Sequence, residues 1–422
     1  MKIGIVTMYF PPQVRGGAHL SAFYIAKGLA LAGHEVHVFT TASPQLTEDS
    51  DWCYPGIKRH DIFDLSQKPT TSWGLDYASL RMGWDLRHYL GQNQLKLDIL
   101  HAYGMDTIPA VVMCRRYGIP IATFNGYWAT CPFWDHTHPV TKERNEVCDY
   151  RHLGACVRWR NGRHSPRQWA KWHFLFCSQK LRQSFAHRLH LFLPISHSVK
   201  AIITAAGFDR NKMRVCYNMI ELSDYSNLDA NYLYSRYQIP AGRRLFLFAG
   251  RFAPYKGTAD IIEAMPIILG QHPETHFVFI GQGSMLSTLE AKVAELGLNE
   301  RATFGGFVNP KEMPDAYASA YAYLHTATWP EPFARGPIEA LAAGTAVIAT
   351  TTGGTSEVII NEQTGLLVPP FNPLALAQAC IRLLDQPALR MKLAQTGQTE
   401  VHQKFTLTGQ INQYLAAYES IL

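Results

Sequence analysis

One pattern restricts the fold more than any other. A short apolar run, Lys2 to Phe10, ends in Pro11-Pro12-Gln13-Val14-Arg15-Gly16-Gly17 and opens a helical stretch, Ala18 to Ala32, that Gly33 closes. A run this short and this apolar reads as a strand covered on both faces, and Glu35 to Thr41 supplies a second. Strand, glycine turn and helix make the first unit of a Rossmann-like fold, in which glycines let backbone approach a ligand and the helix start favours anions. The turn is not G-x-G-x-x-G, so a dinucleotide is not specifically indicated. The same order of events begins again at Arg244, where R-L-F-L-F-A-G-R-F-A-P-Y-K-G leads into a helix from Thr258 to Leu269. Strands joined through helices lie parallel, in sheets covered by helices. A chain of 422 residues exceeds one ordinary core. The expectation is α/β, with two Rossmann-like parallel-sheet domains.

Between the two starts, Asp98 to His101, Pro120 to Phe124, Leu191 to Ile195 and Met213 to Tyr217 read as strands. Met105 to Tyr117, Gln168 to His187 and Ser198 to Ala206 read as helices. From Asn125 to about Arg167 the pattern breaks into a long aromatic insertion, of a length usually given to binding elements. Periodicity weakens over Asn218 to Ile239, which predicts a hinge and domains at 1–218 and 219–403. After the hinge, strands are expected at His276 to Ile280, Ala302 to Phe304, Ala320 to Leu324 and Ala346 to Ala349, with a helix over Ser284 to Leu296. The tail, 404–422, carries a last helix from Leu407 to Leu422.

Composition removes several classes. At 47% hydrophobic and 17% charged the chain has the balance of a soluble globular protein. No apolar run approaches a membrane span, and the strand-like N-terminus is no signal peptide. A cytoplasmic location with reduced cysteines is expected, Cys53, Cys114, Cys216 and Cys380 as buried thiols. The net charge of +6 is uneven: Arg151 to His190 holds nine Lys/Arg and no acid, interleaved with Trp159, Trp169 and Trp172. Two readings stand, a contact with a membrane surface or anionic acceptor through 151–190, and a solvated basic face. No recognition motif supports nucleic acid as a partner. Cys131, Cys148, Cys156 and Cys177 stand near His136, His138, His152 and His164, but without a C-x₂-C pair, so no metal is predicted. Tyr127, Trp128, Phe133 and Trp134 suit stacking on a sugar or lipid, and equally core packing.

The chemistry concentrates in the second half. Trp329 to Gly344 places Glu331 in a loop and Glu339 on the helix expected from about Arg335. Loop amides and a helix start facing one pocket suit phosphate or a polar sugar; two solvated acids beside a capped helix are the plainer reading. Arg251 and Lys256 follow the end of a parallel strand, where open α/β folds bind ligands, and two cations there suit a diphosphate.

These stretches together resemble the retaining, nucleotide-sugar-dependent glycosyltransferases of family four, with the GT-B fold. The resemblance runs over nearly the whole chain: F-P-P-x-x-x-G-G-A, A-G-H-E-V-H-V, G-R-F-A-P-Y-K-G, G-Q-G-S-M-L, E-P-F-A-R-G-P-I-E-A-L-A-A-G, T-G-G-T-S-E-V-I and T-G-L-L-V-P-P, in that order. It implies two domains facing a cleft, the first binding the acceptor and completed by the C-terminal helix, the second binding a UDP- or GDP-linked sugar. Arg251 and Lys256 would hold the diphosphate and Glu339 the ribose. Glu331 and the backbone of Phe333, Ala334, Arg335 and Gly336 would hold sugar hydroxyls, the backbone of Gly306, Phe307 and Val308 would meet the base, and Gly16 and Gly17 would approach the donor. No metal, cofactor or enzyme nucleophile is implied. The acceptor is left open among a glycan, a lipid-linked sugar and a natural product.

Two departures stand out. Many relatives carry a His where this chain has Asn125-Gly126, and asparagine neither takes a proton nor carries charge. His19 and His101 are substitutes for that role. The usual Gly after Phe333 is Ala334, which narrows room near the sugar. A nucleotide-sugar-binding protein without transferase chemistry is therefore the alternative. An NAD-dependent oxidoreductase is disfavoured by the missing third glycine after Gly281-Gln282-Gly283, and a glycoside hydrolase by the two cations beside the acids.

Overall fold

The structure, a computed structural model, describes residues 1–12, 17–42, 52–64, 72–127, 130–131, 148–161 and 166–422. The chain forms two compact units, Met1–Met219 with Leu407–Leu422, and Ile220–Thr406.

Each unit is built on a six-stranded parallel sheet. The first holds β1 (Lys2–Val6), β2 (Glu35–Thr41), β3 (Ile57–Phe63), β4 (Ile99–Tyr103), β5 (Ile119–Phe124) and β6 (Leu191–Pro194), in the order β3-β2-β1-β4-β5-β6. The second holds β7 (Arg244–Ala249), β8 (Thr275–Ile280), β9 (Ala302–Gly306), β10 (Ala322–His325), β11 (Ala346–Thr350) and β12 (Leu366–Val368), in the order β12-β11-β10-β7-β8-β9. Both chains of strands wind outward one way from their first strand, then return to its other side and wind the opposite way. The reversal lies between β1 and β4 in one sheet and between β7 and β10 in the other. In open α/β sheets that reversal opens a crevice beyond the carboxyl ends of the strands.

The central strands are continuous apolar runs because both faces are covered; every residue of β4, β8, β10 and β11 is buried. β3 is the exception. Its sequence, Ile-Lys-Arg-His-Asp-Ile-Phe, reads as polar because it lies at the sheet edge with most positions partly exposed, and the apolar pattern does not predict it. The helix Ser72–Gln92 that follows also goes unpredicted.

One expected strand is absent as such. Met213 to Tyr217 runs beside β6, with Arg214 N donating to Phe192 O at 3.0 Å and Cys216 N to Pro194 O at 3.1 Å, but only one bridge, Phe192 to Met213, forms. The insertion that sequence could not shape contains the helix Tyr150–Asn161.

The tail helix, Leu407–Glu419, packs against the helix Gly17–Leu31 of the first unit. A Cβ on Gly28 would stand 2.2 Å from Ile411, so glycine permits that close approach. Tyr414 and Tyr418 are buried in the first unit's core, and the Gln410 side chain accepts from Tyr217 N at 2.9 Å. Cys114, Cys216 and Cys380 are buried as expected, the first two pushed up to about 12 by burial, but Cys53 is exposed: it precedes the edge strand β3 rather than entering the core.

Candidate functional site

The second unit's site is assembled from the segments that follow β7, β10 and β11. After β7 the chain passes Arg251, which is exposed, and makes a short 3-10 turn, Pro254–Lys256. Gly257 ends the turn at φ +66°, and a Cβ there would meet the Thr326 carbonyl oxygen at 1.9 Å. Glycine thus lets the β7 turn lie directly on the loop after β10. Thr326 hydroxyl donates to Lys256 O at 3.0 Å, and Thr328 N donates to Tyr255 O at 2.9 Å. On the far side, Gly354 N donates to Glu331 O at 2.7 Å, tying in the segment after β11. Three separate loops are held as one surface at the reversal point of the sheet.

Lys256 and Glu331 meet there. Lys256 Nζ donates to Glu331 Oε2 at 2.7 Å, and Trp329 Nε1 donates to the same oxygen at 2.7 Å. Burial alone would push the Glu331 carboxyl up; the charge of Lys256 and the two hydrogen bonds outweigh it and hold it below its ordinary value. The ammonium also lies 5.7 Å from the centre of the Trp329 ring and 5.9 Å from that of Tyr255, two rings that meet edge to face.

The helix Arg335–Ala342 starts two residues after Phe333. Phe333 and Ala334 are buried. Glu339 accepts from Arg335 Nε at 2.9 Å, one turn back on the same helix, and from the Tyr317 hydroxyl at 3.1 Å. Gly336 lies against the Tyr323 hydroxyl, 2.3 Å from where a Cβ would stand. β9 ends at Gly306; Phe307 beyond it is 63% exposed, while Val308 is buried. Lys256, Glu331 and the start of the Glu339 helix therefore belong to one surface, Arg251 precedes the same turn, and Gly306 to Val308 lie at the end of the outermost strand of the same sheet.

Sequence reasoning missed three participants. Trp329 and Tyr317 orient the two acids, and neither aromatic carries a motif that would announce a hydrogen bond. His325, the last residue of β10, is buried with its Nε2 unpartnered among the described residues, and burial pushes it down to about 4. A histidine ending an apolar strand directly before the acid-bearing loop was the available signal.

The first unit corrects two candidates. His101 is fully buried: Nε2 pairs with the Thr123 hydroxyl and Nδ1 with the Tyr418 hydroxyl, both at 2.8 Å, and burial pushes it down to about 3. It is a packed core histidine and not an acceptor contact. Tyr127 is 1% exposed and its carbonyl accepts from Thr130 N and Cys131 N, so its ring is no stacking platform. Asn125 is half-buried just past β5, and Gly17 is exposed at the start of its helix. Gly16 and Trp128, and the side chain of His19, lie outside the described residues.

The basic stretch forms the helices Tyr150–Asn161 and Pro166–Ala186. Trp169 is 51% exposed, whereas Trp172 stacks on Tyr150 at 4.3 Å and donates to its carbonyl, so only part of this face is free. The neighbouring Cys131 and burial push the Cys148 thiol well up, and Cys177 is exposed. Among the described residues no three His, Cys, Asp or Glu side chains converge on a metal-sized site, and no helix is long and apolar enough to cross a membrane.

Known proteins share this architecture. Anabaena HepE, solved with UDP and glucose, superposes with a TM-score of 0.73 at 20% identity over 100% of both chains. Sucrose-phosphate synthase of Thermosynechococcus elongatus gives 0.75 at 21% identity over 99% of this chain and 98% of that one. In sequence, the chain is 26% identical to an uncharacterised glycosyltransferase of Methanocaldococcus jannaschii over 96% of its own length and 95% of the relative's. It is 25% identical to the glycogen synthase of Mycobacterium tuberculosis over 99% and 95%. Residues 15–224 match the sequence model for Glycosyltransferase Family 4, and residues 234–400 that for Glycosyl transferases group 1. With both halves matched in turn, and with two like-wound parallel sheets beneath them, the chain belongs to the GT-B glycosyltransferases of this family.

Proposed function

We propose that this glycosyltransferase is a retaining, metal-independent hexosyltransferase that takes its sugar from a nucleoside diphosphate. The observation that carries the reading is the Lys256–Glu331 pair, on the same segment after β7 that carries Arg251, at the sheet's reversal point. Transfer leaves negative charge on the departing diphosphate and oxocarbenium character on the sugar. Arg251 and Lys256 stabilise the first, and the helix start at Arg335 adds backbone amides without a metal. Glu331 is taken up by Lys256 and Trp329, which suits a carboxylate that orients sugar hydroxyls better than one that attacks carbon. Attack on the same face, with the leaving phosphate helping to deprotonate the acceptor, then gives retention. Glu339, braced by Arg335 and Tyr317, grips the ribose, and the backbone of Gly306 to Val308 meets the base.

UDP is the first nucleotide to try, because HepE carries it on the same fold. The first unit would select the acceptor, a glycan, a lipid-linked sugar or a natural product. The exposed basic face around Trp169 favours an anionic acceptor or one presented at the inner face of a membrane. A second reading, donor binding without turnover, rests on Asn125, which cannot act as a base.

The test is product formation from UDP- and GDP-sugars with a panel of acceptors. Lys256→Ala is expected to lower turnover by about 10²–10³-fold, and Glu339→Gln to raise the donor requirement. Full activity in both variants would remove the site from this unit; tight donor binding with no product from any acceptor would select the second reading.

A further inference from the structure

Lys256 Nζ and Trp329 Nε1 donate to one carboxylate oxygen, Glu331 Oε2, each at 2.7 Å. The two donors differ in kind. The indole is neutral and its single N–H is fixed by a rigid ring. The ammonium is a point charge with three donors on a flexible four-carbon stem, and it can turn to another anion. Both members of the ion pair keep contact with solvent: the Lys256 side chain is 20% exposed and that of Glu331 12%.

The pairing has an electrostatic consequence. Lys256 follows β7 at the sheet's reversal point, and the carboxylate it touches cancels most of its charge. A diphosphate drawn to this ammonium meets a cation already spent on Glu331, with a like charge behind it. A free nucleoside diphosphate therefore competes with Glu331 for Lys256. A nucleotide sugar competes on better terms, because its hydroxyls offer the carboxylate new donors in exchange for the ammonium. Trp329 keeps Oε2 hydrogen-bonded whichever way the ammonium turns.

We infer that Lys256 is shared between Glu331 and the diphosphate, and that Glu331 thereby weakens the hold of the site on the free nucleoside diphosphate left after transfer. Once the sugar has gone, the carboxylate reclaims the ammonium and the nucleotide leaves. Glu331 then has two uses, orienting the sugar before transfer and expelling the nucleotide after it. This rests on the donor-site reading above. It adds a gain of affinity on removing the carboxylate, which that reading by itself does not require, so the two fail separately.

The experiment is calorimetric titration of wild type, Glu331→Gln, Lys256→Ala and the double variant with UDP and with GDP. Glutamine keeps the shape of the side chain and an oxygen for Trp329, and removes the charge. Glu331→Gln is expected to bind the free nucleotide about tenfold more tightly than wild type, the worth of one charge-assisted hydrogen bond released from an ion pair. In the Lys256→Ala background the same substitution should bring little gain, because the ammonium that it frees is no longer there. Unchanged or weaker affinity in Glu331→Gln overturns the inference. So does a gain of equal size with Lys256 absent, which would make Glu331 a plain repulsive charge and not a competitor for the lysine. A gain of affinity does not arise from misfolding, so the comparison of wild type with Glu331→Gln stands even where thermal unfolding shows the Lys256 variants to be damaged. If neither wild type nor Glu331→Gln binds either nucleotide, the donor-site reading is rejected and the inference with it.

Discussion

The two sheets wind identically, so β4 in the first unit and β10 in the second hold the same place beside their first strands. Each carries a buried histidine, His101 and His325, and their surroundings differ. His101 is paired at both ring nitrogens, by Thr123 and by Tyr418 of the tail helix. His325 keeps an unpartnered Nε2 next to a charged pair. Burial and a low pKa are common to both and therefore do not mark function. Completeness of hydrogen bonding separates them, because an unpaired buried nitrogen costs stability.

The same contrast extends to the loops. Beyond β7 and β10 the second unit ties its segments together through Gly257, Thr326 and Thr328. The sharpest blow to that arrangement is Gly257→Ala. A Cβ would collide with Thr326 O at a backbone angle that favours glycine, and a loss of about 3–4 kcal/mol is expected in urea unfolding. Because the clash separates the β7 turn from the β10 loop, donor affinity should fall with it; retained affinity would show that the two loops act independently.

His101→Phe is expected to cost less, about 2–3 kcal/mol, by leaving the Thr123 and Tyr418 hydroxyls unpaired in the first core. Donor affinity should not change, since the histidine belongs to the unit that lacks the diphosphate site. His325→Phe should be nearly neutral for stability, since the nitrogen it removes has no partner among the described residues. If His101→Phe alters donor affinity, the assignment of roles to the two histidines is wrong.

The third contrast is in pH. Both histidines have folded-state values below the ordinary 6.5, about 3 for His101 and about 4 for His325, with burial the cause. The unfolded chain then binds more protons than the folded one below about 6.5, so stability rises with pH through this window and falls as acid is added. Each histidine steepens that fall by at most about 1.4 kcal/mol per pH unit. Urea midpoints measured from pH 7 to pH 5 should drop less in the double variant His101→Phe, His325→Phe than in wild type. An equal drop would mean that other groups carry the acid sensitivity.

Much of this was open to a reader of the sequence. Apolar runs such as β8 and β11 announce themselves because both faces are buried. The edge strand β3 does not, since exposure lets its residues be polar. Arg251, Lys256, Glu331 and Glu339 stand in local motifs, and a motif survives without knowledge of distant contacts. The histidines did not yield to the same treatment. His101 and His325 each end or occupy an apolar strand, and nothing local separates the one that Tyr418, far along the chain, completes from the one that nothing completes.

What the sequence by itself determined, then, was the repeated strand-and-helix alternation, the family and the residues from which a donor site is made. Those depend on spacing along the chain and on which residues tolerate burial. Only the tertiary structure decided that Lys256 and Glu331 hold each other, that Trp329 and Tyr317 brace the acids, and which of two buried histidines has a nitrogen to spare. Those are questions of which polar groups meet across loops and helices distant in sequence, and a hydrogen bond over a few ångströms leaves no mark on either strand alone.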